Sequence, residues 1–226
     1  MKLTKLSQKI LVGLTGHTEK QWRSKLKEIK KFKIRKISLF LERLSLKQRR
    51  KIYLALLKSG VKNIPVVHAR NDMTSEEFAF LKNNFGTLYF TIHEGHFRYL
   101  PRWKGFHKNL YLEMHADNFI PAVIKMKKIG GFCIDLAHFK KSEDRWTEEF
   151  DYVMKREKIS KYFACNHLNG YSYRQKTDLH TIKHLKDLNY LKTLPKFLFS
   201  KNIALEMSNS ISQQLKFKKY LIKMFS

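Results

Sequence analysis

The sequence predicts a compact (β/α)8 (TIM) barrel, a single domain over residues 1–226, on three observations. Short apolar runs rich in Ile, Val, Leu and Phe alternate with longer amphipathic segments along the whole chain. The runs number eight, and they are nearly continuously apolar, as strands of a parallel sheet covered on both faces must be. An open doubly wound sheet is the alternative. Against it, no glycine-rich phosphate fingerprint follows the first run, where GLTGH (13–17) is the nearest approach.

The elements follow in order. KILVGLTG (9–16) leads into the helical pattern TEKQWRSKLKEIKKFK, and KISLFLE (36–42) into SLKQRRKIYLALLKSG, whose closing Gly suits a helix C-terminus. NIPVVHAR (63–70) precedes TSEEFAFLKNNFG. TLYFTIHEG (87–95), NLYLEMHA (109–116) and GFCIDLAH (131–138) supply the next three strands. YFACNHLNG (162–170) is followed by a helical pattern, DLHTIKHLKDLNYLKTLPKFL, and NIALEMSNS (202–210) is the eighth run. Several helical patterns open on Ser or Thr with Glu close behind, which satisfies the free N–H groups of a first turn. No linker or low-complexity tract divides the chain.

Hydrophobic content of 43% argues against disorder. The charge is unusual: Lys+Arg is 46 against Asp+Glu 19, a formal +27. A drift toward lysine-rich composition raises the acids as well, and here they are scarce. A polyanionic partner is expected, nucleic acid first, then phosphorylated metabolites or anionic lipid. Cys133 and Cys165 are too few for a disulfide framework or a cysteine zinc site, and read as small buried fillers. The start, MKLTKLSQKILVGL, has an apolar patch (Ile10 to Leu14) too short for a signal peptide, and no stretch approaches a membrane span. These features predict a soluble, intracellular, nucleoid-associated monomer with no membrane partner.

Chemistry in such a barrel collects at the C-terminal strand ends. The third run ends in His68, the fourth in His93 and the fifth in Glu113. The sixth ends in Asp135 with His138 just beyond, the seventh in His167 and the eighth in Glu206; the loop after the seventh adds Asp178 and His180. Each alone reads as an ordinary hydrogen-bonding residue. Five imidazoles and four carboxylates in one mouth are hard to desolvate unless metal ions bind them. This mixture suits Zn²⁺, Mn²⁺ or Fe²⁺ rather than Ca²⁺, and nine ligands imply two or three ions.

The order His, His, Glu, Asp-x-x-His, His, Asp-x-His, Glu resembles the xylose-isomerase-like barrels, and within them the endonuclease IV type of apurinic/apyrimidinic endonuclease. GFCIDLAH, LYLEMHADN, NHLNGYS, DLH and IALEMS each resemble a stretch of that family, over essentially the whole chain. The resemblance implies that His68 and His93 hold one metal, which Glu113 bridges to a second held by Asp135, His167 and Glu206. His138, Asp178 and His180 would hold a third. It also implies hydrolysis of the phosphodiester 5′ to an abasic site in double-stranded DNA, with Zn²⁺ as the expected ion and Glu113 and Glu206 at the reacting centre. The chain departs from the family where Asp-x-His is followed by TIKHLKD and His-Leu-Asn by Gly170.

Two loops carry a nucleic-acid pattern of cations beside flat aromatics. GHFRYLPRWKGFHK (95–108) interleaves Arg98, Arg102, Lys104 and Lys108 with Tyr99, Trp103 and Phe106; YSYRQKT (171–177) offers Tyr171, Tyr173, Arg174 and Lys176. The first loop reads equally as aromatics capping the barrel mouth. The rival function is a divalent-metal sugar or sugar-phosphate isomerase or epimerase, which resembles this chain at Glu113, Asp135, His167 and Glu206. There the two glutamates shuttle a proton beside a carbonyl and His138 contacts the substrate. His68 with His93, Asp178 with His180, and the +27 charge favour the nuclease. A non-catalytic DNA-binding barrel leaves the ligand set unexplained.

Overall fold

The computed structural model of the chain describes residues 9–225; Lys2 and Lys5 of the basic start, and Ser226, lie outside the described residues. The strands are β1 (Ile10–Leu11), β2 (Gly13–Leu14), β3 (Ser38–Phe40), β4 (Val66–His68), β5 (Tyr89–His93), β6 (Leu110–Glu113), β7 (Gly131–Asp135), β8 (Phe163–Leu168), β9 (Gly170–Ser172), β10 (Thr177–Leu179) and β11 (Ile203–Leu205). All but β9 and β10 form one parallel sheet in the order β1-β11-β8-β7-β6-β5-β4-β3-β2. β1 and β2 are halves of a single strand interrupted at Val12. One half pairs with the last strand and the other with β3, so the sheet closes into an eight-stranded barrel.

The break in the first strand has a physical cause. A Cβ on Gly13 would lie 2.0 Å from the Leu205 carbonyl oxygen, so only glycine lets the two strands meet there. The backbone that this close approach leaves unpaired is taken up by a fully buried side chain. Gln214 Oε1 accepts from Gly13 N at 2.7 Å, and Gln214 Nε2 donates to Gly13 O and Asn209 O, both at 3.1 Å.

The covering helices include α1 (Glu19–Lys31), α2 (Leu46–Leu57), α3 (Ser75–Phe85), α4 (Leu136–Arg145), α5 (Glu148–Met154) and α6 (Ile211–Met224). Capping boxes start three of them, Thr18 with Gln21, Ser45 with Gln48 and Ser210 with Gln213, so glutamine takes the role expected of glutamate. α1 buries Trp22, Leu26 and Ile29, spaced four and three apart along one face. α2 ends at Leu57 and Gly60 turns the chain at φ 82°, while α3 ends on Gly86 at φ 63°.

Several expected helices are absent from the mouth. β5 runs into a 3-10 helix, Glu94–Trp103, which contains Pro101. β6 runs into an irregular segment with one 3-10 turn, Met126–Lys128. After β8 the expected helix over DLHTIKHLKDLNYLKTLPKFL is replaced by the antiparallel hairpin β9–β10 and the 3-10 segments Leu185–Thr193 and Lys196–Leu198. Asn209 clamps the backbone there in an extended form, accepting from Ile182 N and donating to Ile182 O at 2.9 Å each, and Pro195 supplies no N–H. The helical periodicity of that stretch instead buries Leu188, Tyr190 and Leu191 against the barrel.

The core has two parts. Leu11, Phe40, Val66, Cys133, Cys165 and Ala204 fill the barrel interior, and a larger apolar shell lies between strands and helices. Both cysteines are free and buried. Cys133 and Asp135, and likewise Cys165 and His167, are two apart on one strand. The interior filling therefore rises directly into the polar mouth. Among the described residues, no helix is long and apolar enough to cross a membrane.

Candidate metal centre

Register decides which strand-end residues meet. His93 lies beside Glu113 and Asp135 beside His167, while β4 pairs His68 with Thr91. His68, His93, Glu113, His138, His180 and Glu206 line a cavity of about 530 Å³ at the C-terminal face of the barrel, and His167 lies beneath it against Glu113 and Glu206. His68, Glu113, Asp135 and His167 are buried.

Contacts within the cluster are close. His167 Nδ1 is 2.9 Å from Glu113 Oε2 and 3.1 Å from Glu206 Oε2. His68 Nε2 is 3.1 Å from His93 Nε2 and 3.6 Å from Glu113 Oε2, and its Nδ1 is 3.6 Å from Glu206 Oε1. His138 approaches Glu113 and Asp178, each at 3.9 Å, and His180 Nε2 is 3.3 Å from Asp178 Oδ2. Three sets bring ligand atoms within 4.8 Å of one another: His68, Glu113, His167 and Glu206; Glu42, His68 and His93; and Glu113, Asp135 and His138.

The donor set fits divalent ions on two counts. Ligand bonds of ~2.0–2.1 Å put two ligand atoms of one tetrahedral ion about 3.3 Å apart, and of one octahedral ion about 2.9 Å apart. The N···O and N···N separations above cluster around those edges. Moreover, His167 Nδ1, Glu113 Oε2 and Glu206 Oε2 are buried and close, yet none makes a hydrogen bond, and His138 Nδ1 is equally unpartnered. Neighbouring lone pairs aimed at a shared point, rather than at each other's protons, are what a cation requires.

Surrounding groups fix the orientation of the donors. Thr91 Oγ1 contacts His167 Nε2 at 3.2 Å, so a proton on Nε2 leaves Nδ1 bare toward the carboxylates. Asp135 caps α4, its Oδ1 accepting from Ala137 N and His138 N, while Asn169 Nδ2 donates to Oδ2 at 3.0 Å. Burial would raise the Glu113 pKa, but His167 and His68 outweigh it and hold the carboxyl well below the usual range. Glu206 is held low by His167 against the same burial. Asp135, with fewer cations beside it, is pushed up by burial. Burial would lower the His93 pKa, but Glu42 and Glu113 raise it to about 9; Asp178 raises His180 to about 9. The cluster thus holds negative charge that imidazolium protons or metal cations must balance.

The strand-end residues named from the sequence all face this one mouth. Glu42 stands there as well, 3.4 Å from His93 Nε2. It closes the second apolar run, so the strand-end rule that found the others points to it too. Thr91 carried no signal, since it lies inside an apolar run; Asn169 lay within a quoted motif without a role.

The expected nucleic-acid contacts divide. Arg98 and Arg102 are exposed and flank the Tyr99 ring, their guanidinium carbons 5.2 and 4.8 Å from its centroid. Lys104, Tyr173, Arg174 and Lys176 are also exposed. Trp103 and Tyr171 are corrections, because both are core residues. Trp103 donates to Met73 O at 2.8 Å and stacks on Phe78, and the Tyr171 hydroxyl donates to Asp144 Oδ2 at 2.7 Å beneath the hairpin. Neither ring is free to stack on a base.

No known protein-family model matches the sequence, and no curated protein matches it. Among solved structures the chain is similar to a D-tagatose 3-epimerase-like protein, with a TM-score of 0.56 and 16% identity, covering 95% of this chain and 97% of that one. At that identity the likeness establishes the fold, a parallel (β/α)8 barrel, and leaves the chemistry to the residues themselves.

Proposed function

We propose that the chain is a divalent-metal-dependent phosphodiester hydrolase acting on nucleic acid, with duplex DNA carrying an abasic lesion as its substrate. The observation that carries this reading is the excess of donors. One divalent ion is satisfied by Glu113, Asp135, His167 and Glu206, yet His68, His93, His138, Asp178 and His180 extend the cluster across the mouth in a chain of contacts no longer than 3.9 Å. An extended cluster matches a phosphate diester, which has several oxygens to be neutralised at once. The +27 charge supports the same polyanionic class.

Zn²⁺, Mn²⁺ or Fe²⁺ held by these residues would supply charge neutralisation at phosphorus and an activated water. The chain's own part is positioning. Thr91 and Asn169 orient His167 and Asp135, Glu113 spans the gap between His68 and His167, and Glu206 faces the cavity from the last strand. Arg98 and Arg102 on the rim would hold flanking phosphates.

A sugar epimerase or isomerase is the second reading, and the solved neighbour favours it. Glu113 and Glu206 both line the cavity, placed to remove and return a proton beside a carbonyl. Incubation with a labelled duplex bearing one abasic-site analogue, with and without prior chelation, separates the two. Chelator-sensitive cleavage 5′ to the lesion, lost by at least about a hundredfold in Glu113→Gln while DNA affinity persists, is the expected result. No cleavage by a metal-loaded protein that interconverts ketose epimers would transfer the assignment to the second reading.

A further inference from the structure

Glu42 lies two residues beyond Phe40, whose side chain belongs to the barrel interior, while Leu41 between them is buried in the outer shell. Alternation along the strand therefore turns Glu42 inward over the mouth. Because Phe40 pairs with His68 in register, that carboxylate stands one step above the histidine. Its Oε1 is 3.4 Å from His93 Nε2, and Glu42, His68 and His93 offer three ligand atoms all within 4.8 Å of one another. The two Nε2 atoms are 3.1 Å apart. Both measured separations lie near the roughly 3.3 Å edge of a tetrahedral ion's ligand shell. Among the described residues Glu42 forms no ion pair with Lys or Arg; its one ion-pair contact is His93.

We propose that Glu42 is itself a metal ligand, completing with His68 and His93 a two-histidine, one-carboxylate site at the outer edge of the cluster. Glu113 stands beside this set, its Oε2 3.6 Å from His68 Nε2. The ion is of the Zn²⁺, Fe²⁺ or Mn²⁺ class, and the second strand joins the set of metal-bearing strands. This inference rests on the metal-enzyme reading above and adds a donor to it.

The test is metal binding rather than turnover. Chelator-stripped protein is titrated with Co²⁺, read by its visible absorption, and with Zn²⁺ against a competing chelator. Glu42→Gln is compared with Glu28→Gln, which removes a carboxylate from the same cavity away from the histidines. With a side chain 36% exposed, Glu42 is replaceable without emptying the core, and circular dichroism of the stripped variant checks this. The expected result is one site per chain weakened at least tenfold to a hundredfold in E42Q, with its share of the Co²⁺ spectrum changed and E28Q like the parent. An E42Q protein that binds as many ions as the parent, equally tightly, would overturn the assignment of Glu42 alone. A parent chain that binds no divalent ion would overturn the metal reading together with it.

Discussion

His167 shows how much of the site depends on one contact outside it. Its Nδ1 meets Glu113 and Glu206, and the Nε2 on the far side of the ring meets Thr91 Oγ1, with both residues fully buried. Removing the hydroxyl in Thr91→Val leaves the ring volume packed but the tautomer unfixed. Zn²⁺ affinity is then expected to fall about 10- to 100-fold by chelator competition, with little change in the thermal midpoint of the metal-free protein. A second residue-scale expectation concerns acid stability. Arg49, buried in α2, donates to both oxygens of Glu77 at 2.8 Å and to Asp72, and Tyr53 also donates to Glu77. Burial would raise the Glu77 pKa, but Arg49 and Tyr53 outweigh it and lower it from 4.5. A depressed folded-state value means stability that is present above pH 4.5 and is lost as pH falls through the folded pKa. Glu77→Gln leaves the buried guanidinium with Asp72 as its carboxylate partner, at a cost of about 2 kcal/mol at neutral pH, and flattens the acid limb of a stability–pH curve. An unchanged acid limb would show that other carboxylates govern it. At this scale the sequence was legible wherever a polar residue ended an apolar run. It was illegible where burial chose among aromatics: Trp103 and Tyr99 sit in one loop, and only the 3-10 turn buries one against Phe78 and leaves the other half-buried between Arg98 and Arg102.

The strands could be read from eight apolar runs because a covered parallel sheet leaves no polar alternation to confuse them. The connections could be read only in part. α1, α2 and α3 carry caps and one apolar face. The segment after β8 has a similar face but is pulled into a hairpin and 3-10 turns, because Asp178 and His180 are held at the mouth and Asn209 clamps Ile182. Tertiary contacts overrode a pattern that, taken locally, is helical. The 3-10 helix Glu94–Trp103 and the β9–β10 hairpin form two rims beside the cluster, carrying Arg98, Arg102, Arg174 and Lys176. If the first rim tracks a phosphate backbone, the double variant Arg98→Gln, Arg102→Gln is expected to reduce the slope of log affinity against log salt by about 2. Direct binding titrations at several salt concentrations measure this. A slope equal to the parent's would mean the two guanidinium groups only brace Tyr99.

At the scale of the whole molecule the +27 charge and the mouth bear on the proposed function together: the surface would attract a polyanion, and the cluster would select which one is cleaved. The closed ring that holds the cluster depends on Gln214, which bonds Gly13 and Asn209 where the first strand is broken. Gln214→Leu strands buried backbone groups at that seam. It is expected to cost about 2–4 kcal/mol, seen as a lower denaturant midpoint. The seam also bears on time as well as energy. Gly13 and Gln214 are separated by 201 positions, and β1 waits for β11 at a similar distance. A chain leaving the ribosome makes its first strand early, but that strand has no partner on one side, nor any donor for its broken backbone, until the final helix has emerged. Throughout synthesis the half-built sheet therefore presents an unpaired edge at Ile10 and Leu11. Because His167 stands on β8 and Glu206 just past β11, the last two strands of the ring in chain order, the strand-end cluster is complete only when the closing strand is in place.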